Sequence, residues 1–209
     1  NTLLPKNFDQ RGAAEVVSDL RKENKNSFPL ISPTNFLFSD GITILNKNSE
    51  SKKVFPLGGV SKVLTPLCNE LGDWVIYKSD RYGFNNKDDL WNKKVELLLI
   101  GDSFTHGACV NYPDTFAGNF NLKHNTLSLG YNGNGPIIEL GTIKEYINLV
   151  NPKKVIWIYT EVNDMQNMIA EFNHPLLKRY LTEKKFFQNK EIRFLNRFIS
   201  RPTNMGRNK

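Results

Sequence analysis

Val95 to Ile100 (VELLLI) is an apolar run of strand length that stops abruptly at Gly101-Asp102-Ser103. A continuous run of this kind, rather than an alternating one, reads as a strand buried on both faces, as in a parallel sheet. Two further strands follow. Thr126 to Leu129 is a second short strand that runs into the glycine-rich stretch Gly130-Tyr131-Asn132-Gly133-Asn134-Gly135. Val155 to Tyr159 (VIWIY) is a third strand read as buried, and it ends in Thr160-Glu161-Val162-Asn163-Asp164. Between the second and third strands, Pro136 opens a helix through Leu149, with Ile137, Leu140, Ile143, Ile147 and Val150 near helical period. A further helix after Tyr112 is expected to carry Phe116 and Phe120. Strands alternating with helices imply a parallel α/β sheet, and such sheets bind ligands at the carboxyl ends of their strands. All three polar segments lie there.

The first 90 residues read differently. Ala13, Ala14, Val16, Val17 and Leu20 mark a helix within 11–25, and Pro29 and Pro33 break the chain after it. From Gly41 to Phe84 short β segments dominate. Ile42 to Leu45 and Trp74 to Tyr77 have β character, and Leu71-Gly72-Asp73 reads as a turn. The expected organisation is an N-terminal extension over 1–90, with a helix and a small β layer, followed by an α/β domain over 91–209.

Composition narrows the class. Hydrophobic residues make up 39% and charged residues 23%, as in a soluble globular domain, and no apolar run approaches the length of a membrane span. The net charge of +7 is carried by one end. From Lys178 to Lys209 there are ten Lys/Arg and two Glu, a local +8, so the other 177 residues sum to −1. A nucleic-acid binder should carry its basic footprint on the folded core, so nucleic acid is not an expected partner. Phe187, Ile192, Leu195, Phe198 and Ile199 alternate with those basic residues as an amphipathic helix candidate. Its apolar face suits packing on protein better than contact with a membrane.

Cys68 and Cys109 are compatible with one disulfide or with two free thiols. No Cys/His cluster has metal-ligand spacing, and neither a metal nor an organic cofactor is expected.

Ile100-Gly101-Asp102-Ser103-Phe104 directly after an apolar strand resembles the first motif of the SGNH/GDSL hydrolase family. The glycine-rich turn ending at Gly133 resembles the second motif, and Glu161-Val162-Asn163-Asp164 the third, with Glu161 in place of the usual glycine. GDSF alone is a weak signal; three motifs in order, each at a strand end, are a specific one. The match covers roughly residues 96–168. The rival reading of the glycines as a dinucleotide loop is disfavoured by their GxxGxG spacing.

The resemblance implies a three-layer α/β fold of flavodoxin-like architecture. It also implies hydrolysis of a carboxylic ester, an O-acetyl or short acyl group, through an acyl-serine. Ser103 would be the nucleophile. The backbone N–H groups of Ser103 and Gly133 and the side-chain amide of Asn163 would form the oxyanion hole. Asp102 and Asp164 are expected to orient loops. The implied partner is a small-molecule or glycan ester. Two alternatives stand beside this: an O-acyltransferase acting on a sugar hydroxyl, and a non-catalytic binding module that lacks the base. The resemblance also implies a bacterial protein, compatible with export to the periplasm or cell surface.

The family's late Asp-x-x-His motif is missing, since no Asp in this chain has His three residues later. The expectation is therefore a chain cut before the base and before further strands. His106 is too close to Ser103 in sequence to serve as its base with a carboxylate behind it. His124 and His174 are expected at the surface. Asp80 to Asn86 resembles a segment that precedes the first motif in some bacterial members; it reads either as a rim of the substrate pocket or as a turn packed under the sheet.

Overall fold

The computed structural model describes residues 8–45 and 51–188. Helix α1 (Ala13–Lys22) opens them, shorter than the 11–25 window but on the expected apolar positions, with Val16 and Val17 buried. Strands β1 (Ile42–Leu45) and β2 (Ser51–Val54) pair antiparallel. Strands β3 (Leu64–Cys68) and β4 (Val75–Lys78) form a second antiparallel pair joined through the Leu71–Asp73 turn, with a bulge between Pro66 and Cys68. A proline has no N–H for the ladder, so it sits where a pair is irregular or open on one side.

The main sheet has three parallel strands in the order β6-β5-β7: β5 (Leu97–Ile100), β6 (Thr126–Ser128) and β7 (Lys154–Trp157). Helices α2 (Ser103–His106) and α3 (Phe116–Phe120) connect β5 to β6, and α4 (Pro136–Val150) connects β6 to β7. Helices α5 (Asp164–Phe172) and α6 (Pro175–Thr182) follow, and both pack on α4. Among the described residues the protein is thus mixed α/β, with one parallel sheet and two small antiparallel ones. The three strands and the long helix lie where the apolar pattern places them.

Two differences are instructive. Val155, Trp157 and Tyr159 are 41%, 45% and 50% exposed, so the third strand is not buried. It is the edge of the sheet, and among the described residues nothing pairs with its outer side. An apolar run reports what a strand is suited to meet, not which elements cover it. Phe116 and Phe120 likewise stand at the surface, and it is Ala117 and Gly118 of α3 that are buried.

The core has two parts. One joins Leu98, Ile100, Leu127 and Leu129 of the sheet region to Tyr146 of α4 and to Phe84 and Leu90 of the preceding segment. The other joins Phe55 and Leu57 of the N-terminal layer to Ile137 and Ile138 of α4, to Leu177 and Tyr180 of α6, and to Phe186. Helix α4 serves both, so the N-terminal layer is packed into the α/β unit rather than tethered beside it. Of the basic amphipathic segment, Phe186 is buried beneath Arg179 and Gln188 hydrogen-bonds the backbone of Phe55. Phe187 is exposed, and the segment from residue 189 onward lies outside the described residues.

Asp80 to Asn86 proves to be the packed turn. The fully buried Asp80 carboxylate accepts hydrogen bonds from the backbone N–H of Tyr82 and Phe84, from Asn86 Nδ2 and from Trp91 Nε1, at 2.8–3.0 Å. The Asn86 amide then pairs with the backbone of Ser128 in both directions, donating at 2.8 Å and accepting at 2.9 Å. A side chain thereby takes the place of a neighbouring strand at the outer edge of β6.

The two cysteines form a disulfide, Cys68–Cys109, which ties β3 to the loop after α2. It closes a loop of 41 residues, for which chain entropy gives a stabilisation of about 4 kcal/mol. A Cys109→Ser variant should unfold at clearly lower denaturant than the oxidised parent, with the m-value raised by the more expanded unfolded chain. Urea titration of both proteins checks this; equal midpoints would show that the bridge adds no stability.

Candidate functional site

Because β5, β6 and β7 are parallel, their carboxyl ends open on one side of the sheet, and the three polar segments meet there. Ser103 is the first residue of α2, immediately beyond β5, and is partly exposed. Asp102 caps that short helix, its Oδ1 accepting from the N–H of Phe104 at 2.9 Å. The other oxygen of Asp102 accepts from Asn163 Nδ2 at 3.3 Å, linking the first segment to the third. The second segment is held by two backbone bonds, Tyr131 N–H to Gly101 O and Asn132 N–H to His106 Nδ1, each 3.1 Å. Close packing sets the distance between them: a Cβ on Gly130 would lie 2.5 Å from Thr105.

Gly133 has φ +81°, in the left-handed region that favours glycine. A Cβ there would also lie 2.4 Å from Ser32 Oγ. The N-terminal segment covers the turn on this side, so packing alone already requires a glycine here. Ser32 Oγ donates to Asn132 O at 2.7 Å, fixing the same turn from outside. Among the described residues, the backbone N–H groups of Ser103 and Gly133 donate to nothing, and Asn163 Nδ2 retains a second hydrogen beyond the one given to Asp102. Asp164 is fully buried and accepts from the Thr160 N–H at 2.6 Å, so both aspartates orient loops as expected.

Beneath these residues lies a group of carboxylates absent from the sequence reading. Glu139, one turn into α4, is 1% exposed and accepts from Trp157 Nε1 at 2.5 Å. Burial, opposed by that bond and reinforced by the nearby charges of Asp164, Asp102 and Glu171, pushes its pKa up to about 8. Glu171 of α5 accepts from the N–H groups of Gly135, Ile137 and Ile138, capping the start of α4. Burial lifts it to about 7 against those three bonds. Glu139 and Glu171 occupy ordinary helix positions in the sequence. Only their burial makes them notable, and no spacing rule announces it.

The histidines are committed elsewhere. His106 is 1% exposed, stacks on Tyr131 with centroids 4.6 Å apart, and uses Nδ1 to accept from Asn132. Burial alone lowers its pKa to about 3, so it is a neutral ring that fixes the glycine turn. His124 is half exposed beside Glu96, and it precedes β6, which places it at the opposite end of the sheet. His174, expected at the surface, is 2% exposed. It caps α6, its Nδ1 accepting from the Leu176 N–H, packs on Phe55, and lies 2.9 Å from Ser39 O through Nε2. A proline at the first helical turn made room for a side-chain cap, and that signal was legible in His174-Pro175. Among the described residues no group of His, Cys, Asp and Glu is arranged to hold a metal ion.

No protein-family model, curated protein or solved structure matches this chain.

The buried acids have a measurable consequence. Asp80, Glu171 and Glu139 are raised by burial to about 6, 7 and 8. The folded state thus holds protons that the unfolded chain releases near the ordinary carboxylate range. Their contribution favours folding at low pH and is lost as pH rises from about 4 to 8. Chemical denaturation across pH 5 to 8.5 should show falling stability, and Glu139→Gln should flatten the upper part of that slope. A slope identical to that of the parent would remove Glu139 from this role.

Proposed function

We propose that the protein acts on a carboxylic ester through Ser103, as a serine hydrolase of the SGNH/GDSL type with a flavodoxin-like α/β core. The single observation that carries this reading is the convergence of the three strand-end segments. Ser103, Gly133 and Asn163 come from three different strand ends, and direct hydrogen bonds and tight packing hold those ends together. The N–H groups of Ser103 and Gly133 and the remaining N–H of the Asn163 amide are donors suited to an oxyanion, and neutral donors need no ionisation to work. Phe104 and Val162, 62% and 86% exposed beside the nucleophile and the amide, offer apolar surface to a short acyl group.

In the first step Ser103 Oγ bonds to the ester carbonyl carbon and its proton passes to a general base. The carbonyl oxygen takes the negative charge within reach of the three donors. Collapse then expels the alcohol, which takes up the proton, and leaves an acyl-serine. Water completes a hydrolase cycle, and a sugar hydroxyl would complete a transferase cycle. Removing one oxyanion donor typically raises such a barrier by about 2.7–4 kcal/mol. A serine hydroxyl needs its base to be a competent nucleophile. His124 lies at the opposite end of the sheet, His174 is engaged through both ring nitrogens, and His106 is a buried neutral ring with Nδ1 given to the glycine turn, so none of the three is assigned as the base. That same observation favours a second reading, a module that binds an acylated glycan without turning it over.

Labelling of the natural full-length gene product with a fluorophosphonate separates the two. The hydrolase reading expects covalent labelling and ester turnover, both abolished in Ser103→Ala with an unchanged melting temperature. Labelling that persists in Ser103→Ala sinks the assignment of Ser103. Saturable binding of an acetylated glycan with no labelling and no turnover supports the binding module instead.

A further inference from the structure

Away from the three strand ends, the β3–β4 pair and the main domain enclose a cleft of about 460 Å³. That size falls within the range of small-molecule sites. None of Ser103, Gly133 and Asn163 lines it. Strand β4 forms one wall, residues 85–88 the second and Val110 to Tyr112 the third. Its walls are rigid for separate reasons. The Cys68–Cys109 disulfide lies next to the 110–112 wall, the Asp80–Asn86 node holds the second, and Asn85 donates from Nδ2 to the carbonyl of His106 at 3.1 Å.

The charges on this cleft are unbalanced. Lys62, Lys78 and Lys87 all line it, with Asp88 as the one acid. Asp88 is already engaged by Arg81, whose guanidinium holds both carboxylate oxygens at 3.0 Å and keeps the carboxyl below its usual range. Lys62 reaches it only at 3.9 Å. Lys78 has no ion-pair partner among the described residues, and Lys87 lies 5.7 Å from the Tyr112 ring centre. Three lysines therefore line one concave surface, and its one acid is already engaged by Arg81. Between them Val75, Ile76 and Val110 are only partly buried and give the cleft an apolar side. A solvated lysine face would be convex and unlined; this one is concave, partly apolar and rigidly framed.

We propose that this cleft binds a small anionic ligand, one carrying a carboxylate or a phosphate beside an apolar or ring face. The lysines supply charge-assisted hydrogen bonds to the anion, and the valines and Ile76 receive the uncharged face. The site is independent of Ser103 and of any ester chemistry there.

Isothermal titration of the whole protein with glucuronate, glucose 6-phosphate and glucose tests it, since the three differ chiefly in charge. The expected result is saturable binding of at least one anion and none of glucose. The affinity should fall several-fold when NaCl is raised from ~20 mM to ~200 mM, because screening weakens exposed charges. Binding of glucuronate alone assigns the carboxylate, and binding of glucose 6-phosphate alone assigns the phosphate. The double variant Lys78→Glu, Lys87→Glu should weaken binding about tenfold or more. If its melting curve shows that it does not fold, the single Lys78→Gln and Lys87→Gln variants take its place, each with a several-fold loss. Absence of saturable binding by both anions, equal binding of glucose, or an affinity unchanged in the variants overturns the proposal.

Discussion

The amide of Asn86 is the contact on which the arrangement of the sheet depends. One hydrogen of its Nδ2 goes to Asp80 and the other to Ser128 O, while its oxygen accepts from Ser128 N–H. A three-stranded parallel sheet has two edges with unpaired backbone groups, and at β6 this side chain satisfies one of them. Because Asp80 gathers four donors of its own, the N-terminal layer cannot shift relative to β6 without leaving a buried carboxylate and a buried amide unpaired. Such groups are costly to strand, at about 1–3 kcal/mol each and more when charged. The position of β6 sets where the glycine turn begins, and so where Gly133 meets Ser32.

The strand-end region shows how function and packing compete for the same atoms. Asn163 gives one amide hydrogen to Asp102, whose other oxygen accepts from the N–H of Phe104. Both residues are thereby oriented at the cost of part of their bonding capacity: Asp102 is fully buried, and the Asn163 amide oxygen is left buried without a partner. Below them Glu139 and Glu171 are buried where carboxylates are poorly solvated. They cap a helix and anchor Trp157, yet burial makes their ionised forms unfavourable. The region is polar and largely buried, and the bonds Asn163–Asp102 and Glu171 to the start of α4 tie its elements together.

Much of the architecture was legible in the residues because it rests on short-range rules. The three expected strands became β5, β6 and β7, Pro136 opened α4, and the Leu71–Asp73 turn joined β3 to β4. Helices α5 and α6 were not anticipated, although Met165, Met168, Ile169 and Phe172 recur at helical spacing; in the structure these four residues are exposed. Legibility ended wherever two distant segments had to be compared. The sequence could not distinguish a disulfide from two thiols, or a pocket rim from a packed turn at Asp80 to Asn86. Neither choice is written locally.

What the sequence alone determined is therefore the set of elements, their order, and the grouping of Ser103, Gly133 and Asn163 at strand ends, because periodicity and turn chemistry act within a few residues. Only the tertiary structure decided that β7 is an edge, that His106 and His174 are buried and engaged, that Gly133 is required by Ser32, and that Glu139 lies in a carboxylate group. Each of these depends on contacts between residues far apart in the chain. Burial, charge and hydrogen-bond supply at a site are sums over such neighbours, and no local pattern carries them.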